Sequence, residues 1–235
     1  MFCPMHLSDR IVFQISMPKV VSFDLDGTLV QNGFADAVWL EGLPLLYAKE
    51  KQVPLDKAKK ILFEAYDEIT DQRVEWYDLS YWFKRYQLQS QWKALLESYQ
   101  DRVALFPDVL PVLQVLQEHQ VQLIICSNAM QEFITIQLKV AGIDQYFDQV
   151  FSSISDFSLV KKEPYFYQQV LDKLHLSYEQ MIHVGDHSVF DYEAPRSVGI
   201  TSYLIDREQQ VQERNSFSSL TEVLSVINNF SLNNL

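Results

Sequence analysis

The stretch VVSFDLDGTLV, Val20–Val30, decides how the rest of the chain is read. Val20, Val21 and Phe23 make a short apolar run that stops abruptly at Asp24, Leu25, Asp26, Gly27 and Thr28. A run of this kind ending in a turn signal reads as a buried β-strand. Two carboxylates separated by one residue at its end lie close together, and burying them is costly unless a cation compensates. A metal ion is the obvious compensation. Gly27 lets the chain turn sharply after Asp26, and Thr28 offers a hydroxyl just beyond. The same residues also fit an ordinary acidic exit from strand to turn, so the remainder of the chain must choose between the two.

Size and composition narrow the field. A chain of 235 residues can form one large domain, or a core domain carrying a smaller one, with a sizeable buried core. At 48% hydrophobic and 21% charged residues it has the balance of a globular protein rather than a disordered one. A formal net charge of -12 argues against a nucleic-acid backbone or an anionic membrane as main partner. Phosphorylated small molecules stay open, because a local cation overrides a distant field. Cys3 and Cys126 do not make a disulfide framework, which points to a reducing cytoplasm. No apolar run approaches the roughly 20 residues that span a bilayer. The leader MFCPMHLSDRIVFQIS lacks the basic start and unbroken apolar stretch of a signal peptide. Residues 1–16 are expected to be a peripheral N-terminal extension, or to precede a start of translation at Met17.

Between Gln31 and Phe106 the patterns are helical throughout. Asp36–Lys51 carries a rough apolar stripe interrupted by Gly42 and Pro44, and Ala58, Ile61, Leu62, Ala65 and Ile69 recur at helical spacing after Pro54. Further helices carry Leu79, Trp82, Phe83 and Tyr86, then Trp92, Leu95, Leu96 and Tyr99. Helices with no strand between them read as a separate small bundle. From Asp108, a suitable N-cap, the pattern changes. A helix to about His119 leads to a strand over Val121–Cys126, stopped by Ser127 and Asn128, and then to a helix closed by Gly142. A strand around Val150 and Phe151, a helix over Pro164–Leu174 and a strand over Met181–Val184 follow, the last stopped by Gly185 and Asp186. Asp191–Val198 reads as a helix, Thr201–Ile205 as a strand and Leu220–Ile227 as a closing helix. This alternation predicts an α/β fold with a doubly wound parallel sheet, which binds ligands at the carboxyl ends of its strands.

Four sites converge on those ends. They are Asp24 with Asp26, then Ser127, then Lys161 or Lys162 in a loop before a helix, then Asp186 with Asp191. Each has an ordinary reading as a turn, a cap or a solvated charge. Their joint occurrence, in this order at the strand ends of one sheet, argues against coincidence.

With those residues in place, the chain resembles the haloacid dehalogenase superfamily, in its phosphatase branch with a helical cap inserted after the first strand. The resemblance runs from about Lys19 to Ile205 and rests on DLDGTL at Asp24–Leu29, SN at Ser127–Asn128, KKEP at Lys161–Pro164 and GDHSVFD at Gly185–Asp191. It implies a Rossmann-like core over 17–31 and 106–235 and an all-α, C1-type cap over 32–105. It also implies a cytoplasmic, Mg²⁺-dependent phosphatase, a monomer or weak homodimer, that hydrolyses a small phosphorylated metabolite through an aspartyl phosphate. Carried over position by position, Asp24 is the nucleophile and Asp26 the general acid and base. Asp24, the backbone carbonyl of Asp26 and Asp186 hold the metal, with Asp191 and Thr28 behind them. Ser127, Asn128 and Lys161 bind phosphate.

The lysine site departs from the family pattern, in which the lysine is followed by proline, another residue and a second proline. Here Lys162 stands in the first proline's place. Counting back from Pro164 and Tyr167 selects Lys161, with its neighbour as the alternative. His187 replaces what is commonly a small hydroxyl residue and reads as a surface histidine. His183 reads as strand packing and Cys126 as a small buried apolar residue. In the helical segment Trp82, Phe83 and Tyr86 read as bundle core, while Arg73, Trp76 and Tyr77 interrupt the stripe and are specificity candidates. A dehalogenase suits Asp26 less well. A phosphomutase with the same groups, and an idle binding protein on the same fold, remain as alternatives.

Overall fold

The computed structural model describes residues 18–209 and 216–232, so the N-terminal extension expected over 1–16 lies outside the described residues. Six strands form one parallel sheet in the order β3-β2-β1-β4-β5-β6. They are β1 (Val20–Phe23), β2 (Gln122–Ser127), β3 (Gln149–Ser152), β4 (Met181–Gly185), β5 (Thr201–Ile205) and β6 (Ser216–Phe217). β1 lies between β2 and β4, where the winding reverses direction, and at such a switch point the loops at the strand ends part to leave a crevice.

The pleat sorts the apolar runs into two cores. Val21, Phe23, Leu123, Ile125, Ile182 and Val184 face one side, against the helices Val109–Glu118 and Leu220–Leu232. Val20, Ile124, Cys126 and Met181 face the other, against the helix Pro164–Leu174. Successive strand residues point to opposite faces, so a run apolar at every position needs helices on both. The doubly wound α/β architecture follows directly from that composition. β6 has two residues, too short for any periodic signal.

The helical segment between β1 and β2 contains Gly33–Asp36, Leu43–Lys51, Leu55–Ile69, Val74–Tyr77, Leu79–Arg85 and Trp92–Ser98. Gly42 and Pro44 do not break the first of these. A π-helical turn, Ala37–Gly42, joins Gly33–Asp36 to Leu43–Lys51 and carries the chain past Pro44, while the Trp39 carbonyl in that turn accepts from the Tyr66 hydroxyl at 3.2 Å. Phe34, Leu62, Trp82 and Leu96 form a third core with Phe133 of the helix Gln131–Ala141, which ties this segment to the sheet layer. Trp82 and Phe83 are buried, as expected of bundle core.

Two local readings change. Asp108 stands at the N-cap of Val109–Glu118 but makes no cap with its side chain. Both its carboxylate oxygens instead accept from Arg207 Nη1, at 3.0 and 3.1 Å, and one of them also accepts the Leu220 amide at 2.7 Å. The helix expected over Asp191–Val198 starts as a second π-helical turn, Ser188–Glu193, before Ala194–Ser197. π-turns are rare and concentrate at functional sites. Among the described residues no helix is long and apolar enough to cross a membrane.

Candidate active site

The sheet delivers the two principal carboxylates by close approach of two loops. Asp24 still belongs to the ladder through its amide, which donates to the Val184 carbonyl at 2.9 Å. The chain then folds tightly over Leu25, whose carbonyl accepts from Thr28, Leu29 and Val30. Gly27 turns at φ +78°, and a Cβ there would run into the Asp186 carboxylate. A Cβ on Gly185 would run into Asp191 in the same way. Each glycine thus makes room for an aspartate at the end of β1 or β4.

One lysine lies at the centre. The Lys162 ammonium is buried against Asp24 Oδ1, lies 2.5 Å from Asp191 Oδ1 and donates to the Cys126 carbonyl at 3.1 Å. Burial alone would drive its pKa down, but Asp191 and Asp24 overrule that and hold the ammonium above its ordinary range. Burial would likewise raise Asp191, yet Lys162 and a hydrogen bond from His183 keep its carboxyl below the usual carboxylate range. Asp24 goes the other way. Burial raises it well above its ordinary value, and Lys162 offsets only part of that rise.

This corrects the expectation for the lysine. Lys161 points away from the carboxylates, to the helical segment, where it pairs with Asp71 at 2.6 Å and lies over the Phe190 ring at 5.0 Å. The Glu163 amide closes onto the Lys161 carbonyl at 2.8 Å, making a three-residue turn centred on Lys162. Two adjacent side chains on such a turn diverge, so counting along the sequence has no power to choose between them. A partly exposed pair such as Lys161–Asp71 is worth at most about 1 kcal/mol. Lys161→Ala should therefore leave kcat/KM within about threefold of wild type. Steady-state kinetics that show a loss above a hundredfold would return the catalytic role to Lys161.

The other expected residues gather around this pair. Asp26 accepts from Gln137 Nε2 at 3.4 Å through one oxygen, while the other is buried with no hydrogen-bond partner among the described residues. Burial pushes its carboxyl up to about 6, against the hydrogen bond from Gln137. Asp186 is pushed up to about 6 by loss of water and then by Asp191, and accepts from Thr28 Oγ1 at 3.5 Å. Asp24, Asp186 and Asp191 have ligand oxygens within 4.8 Å of one another. Ser127 is buried and caps the turn by accepting the Ala129 amide at 3.1 Å. Asn128 accepts the Lys162 amide at 2.8 Å, so it also sets the turn that aims the lysine.

A cavity of about 300 Å³ opens over this floor. Trp76 and Tyr77 line it, together with Asp36, Trp39 and Phe133. Arg73 does not. It pairs with Glu75 at 2.5 Å on the surface, which removes it from the specificity candidates. His187 is exposed yet also lines the cavity, and its Nδ1 accepts the Val189 and Phe190 amides at the start of the π-turn.

The sequence pattern that defines the haloacid dehalogenase-like hydrolases matches residues 18–199. The chain is a haloacid dehalogenase-like hydrolase. It is 25% identical over 166 residues to the GMP/IMP nucleotidase YrfG of Escherichia coli, covering 71% of this chain and 73% of that one. It is 28% identical over 181 residues to the pyrophosphatase PpaX of Listeria welshimeri, covering 74% and 77%. In structure it is similar to a haloacid dehalogenase-type phosphatase of Thermococcus onnurineus, at TM-score 0.75 and 25% identity over 89% of this chain and 97% of that one. A 2-haloacid dehalogenase of Pseudomonas syringae shares the fold at TM-score 0.68 and 19% identity, over 91% of this chain and 100% of that one.

In this haloacid dehalogenase-like hydrolase further residues touch the expected ones. His183 is buried as expected, but it is more than packing. Its Nε2 lies 3.0 Å from Asp191 Oδ1 and its Nδ1 lies 2.9 Å from the Ser22 hydroxyl. A carboxylate can only accept, so Nε2 carries the proton and Nδ1 accepts from Ser22. Burial lowers the pKa of this ring, against the pull of the Asp191 carboxylate. Tyr167 adds its hydroxyl 3.0 Å from the same Nε2 and donates to the Phe190 carbonyl at 2.7 Å. Gln137, fully buried on the helix beside Phe133, is a further addition. A polar residue on an apolar helix face was the signal available in the sequence.

Proposed function

We propose that the chain is a Mg²⁺-dependent phosphatase that hydrolyses a small phosphate monoester through an aspartyl phosphate on Asp24. The observation that carries this reading is the pairing of Asp24 with the buried ammonium of Lys162, with Asp26 on the same cavity wall. Asp24 attacks phosphorus as the bond to the ester oxygen breaks, and the departing oxygen takes its electron pair together with a proton from Asp26. Asp26, now ionised, accepts a proton from water as that water attacks phosphorus, and the bond to Asp24 breaks to release inorganic phosphate. A carboxyl pushed up to about 6 suits a group that gives and then takes a proton near neutrality. Lys162, Ser127 and Asn128 hold the phosphoryl oxygens, and Asp191 with His183 fixes Lys162. Residues 32–105 act as a cap on a core of 17–31 and 106–235, shielding the cavity from water. The nucleotidase and pyrophosphatase relatives support phosphate release over halide release.

The donor set suits a hard cation. Three carboxylates crowd one site with a single lysine among them, and Asp24 and Asp186 are both raised, so positive charge is in deficit. Asp24, Asp186 and the Asp26 carbonyl would hold Mg²⁺, while Asp191 is occupied by Lys162, His183 and the His187 amide. The ion supplies neutralisation of phosphoryl charge when bound.

The test is release of phosphate from p-nitrophenyl phosphate, present with Mg²⁺ and abolished by chelation. Transfer to a second alcohol in place of phosphate release would favour a phosphomutase. Metal binding has its own signature. A carboxyl raised in the folded state stabilises the fold below its unfolded value and loses that contribution as pH rises through about 6. Protons and metal compete for these oxygens. At about a hundred times its Kd, Mg²⁺ should raise Tm by roughly 5–10 °C at pH 7.5 and by much less at pH 5. Equal shifts at both values would remove Asp24 and Asp186 as ligands.

A further inference from the structure

The cavity is lined by two unlike groups of residues. Its lining joins Asp24, Asp26, Asp186 and Lys162 at the strand ends to Trp39, Trp76 and Phe133 from the helical segment and the helix packed on it. Trp39 lies 5° from parallel to Phe133 at 5.9 Å and 28° from parallel to Trp76 at 6.2 Å. Trp39 and Phe133 therefore form a parallel pair along the lining, with Trp76 tilted against them and Tyr77, also in the lining, 63° from Trp76. A flat ring extends the Trp39–Phe133 stack.

Beside these rings is a carboxylate with nothing to do in the fold. Asp36 lines the cavity and continues into a smaller pocket with Trp39, Tyr66 and Trp76. Its side chain makes no hydrogen bond or ion pair among the described residues, and it makes no cap on the adjoining π-turn. Its field reaches Asp26, where it adds to the upward shift. Lys162 is the only lysine or arginine lining the cavity among the described residues, and Asp24 and Asp191 already hold it. The leaving-group end thus offers an acceptor carboxylate and no cation. A second phosphate or carboxylate on the substrate would face Asp36 uncompensated, while an N–H donor would gain a charge-assisted hydrogen bond.

We propose that the cavity selects a phosphate monoester whose leaving alcohol carries a planar, hydrogen-bond-donating ring and no second anionic group, with Asp36 as the residue that sets this choice. The inference rests on the phosphatase reading above and names the class of alcohol that leaves.

The test compares kcat/KM of the Mg²⁺-loaded full chain on a purine nucleoside 5′-monophosphate, 2-phosphoglycolate, phosphocholine and p-nitrophenyl phosphate. The nucleotide should exceed phosphoglycolate and phosphocholine by at least about tenfold. Asp36→Lys, at an exposed site without partners, should shift the nucleotide-to-phosphoglycolate ratio by about tenfold or more toward phosphoglycolate, mainly through KM. Phosphate from none of the four esters would overturn the phosphatase reading itself. Turnover of p-nitrophenyl phosphate with phosphoglycolate or phosphocholine equal to the nucleotide, or a ratio unmoved by Asp36→Lys, would overturn this inference and leave that reading standing.

Discussion

Lys162→Met should lower kcat by about 10²- to 10³-fold and destabilise the metal-free protein by about 3–5 kcal/mol. Both effects have one origin. The side chain is buried between Asp24 and Asp191, and methionine fills its volume while leaving those carboxylates without their cation. For a chain of this size the loss corresponds to roughly 6–20 °C in Tm. The pH dependence gives a second reading. Asp24 is raised already, and without Lys162 it rises further. A raised carboxyl contributes stability that is present below its unfolded value near 4 and lost as pH climbs through the folded value. The gap between variant and wild type should therefore widen from pH 5 to pH 7.5. Thermal melts at the two pH values, set beside steady-state kinetics, decide the matter. An unchanged Tm with activity near wild type would remove Lys162 from the centre of the site.

Asp24→Asn separates activity from stability in the opposite sense. The amide does not form an acyl phosphate, so turnover should fall by roughly 10⁴-fold or more. The fold should not suffer, since burial already disfavours the Asp24 charge and Lys162 keeps Asp191 as partner. At pH 7.5 the metal-free variant should melt at or above the wild-type temperature, and its gain from Mg²⁺ should shrink. A variant that keeps more than a hundredth of wild-type activity would assign the nucleophile elsewhere. Phosphate trapped on the protein in wild type, and absent from the variant, would supply the direct chemical check.

Much of this molecule is legible from residues alone. Apolar runs at Val20–Phe23, Val121–Cys126 and Met181–Val184 predict strands covered on both faces, because the pleat alternates and each face needs its own helices. Asp24, Ser127 and Asp186 mark the ends of those strands, and a parallel sheet brings its strand ends together at one edge. The helical run between β1 and β2 is equally plain from its 3.6-residue spacing. Local pattern settles these features because each depends on a repeat within one element.

What stayed hidden depends on where side chains point once elements pack. Lys161 and Lys162 are identical in chemistry and adjacent in sequence, and only a turn held by Asn128 sends one to Asp24 and the other to Asp71. Arg73 and Trp76 stand in one short segment, yet only Trp76 reaches the cavity. Asp36, Trp39 and Phe133 come from elements about 100 residues apart and meet only after the helical segment docks on the helix Gln131–Ala141. The sequence by itself thus determined a doubly wound parallel sheet with the pair Asp24 and Asp26 at the end of its first strand. Only the tertiary structure decided which lysine pairs with Asp24 and Asp191, and which rings meet the carboxylates in one cavity. The periodicity of one element records which face is buried, while such pairings are set by the relative placement of several.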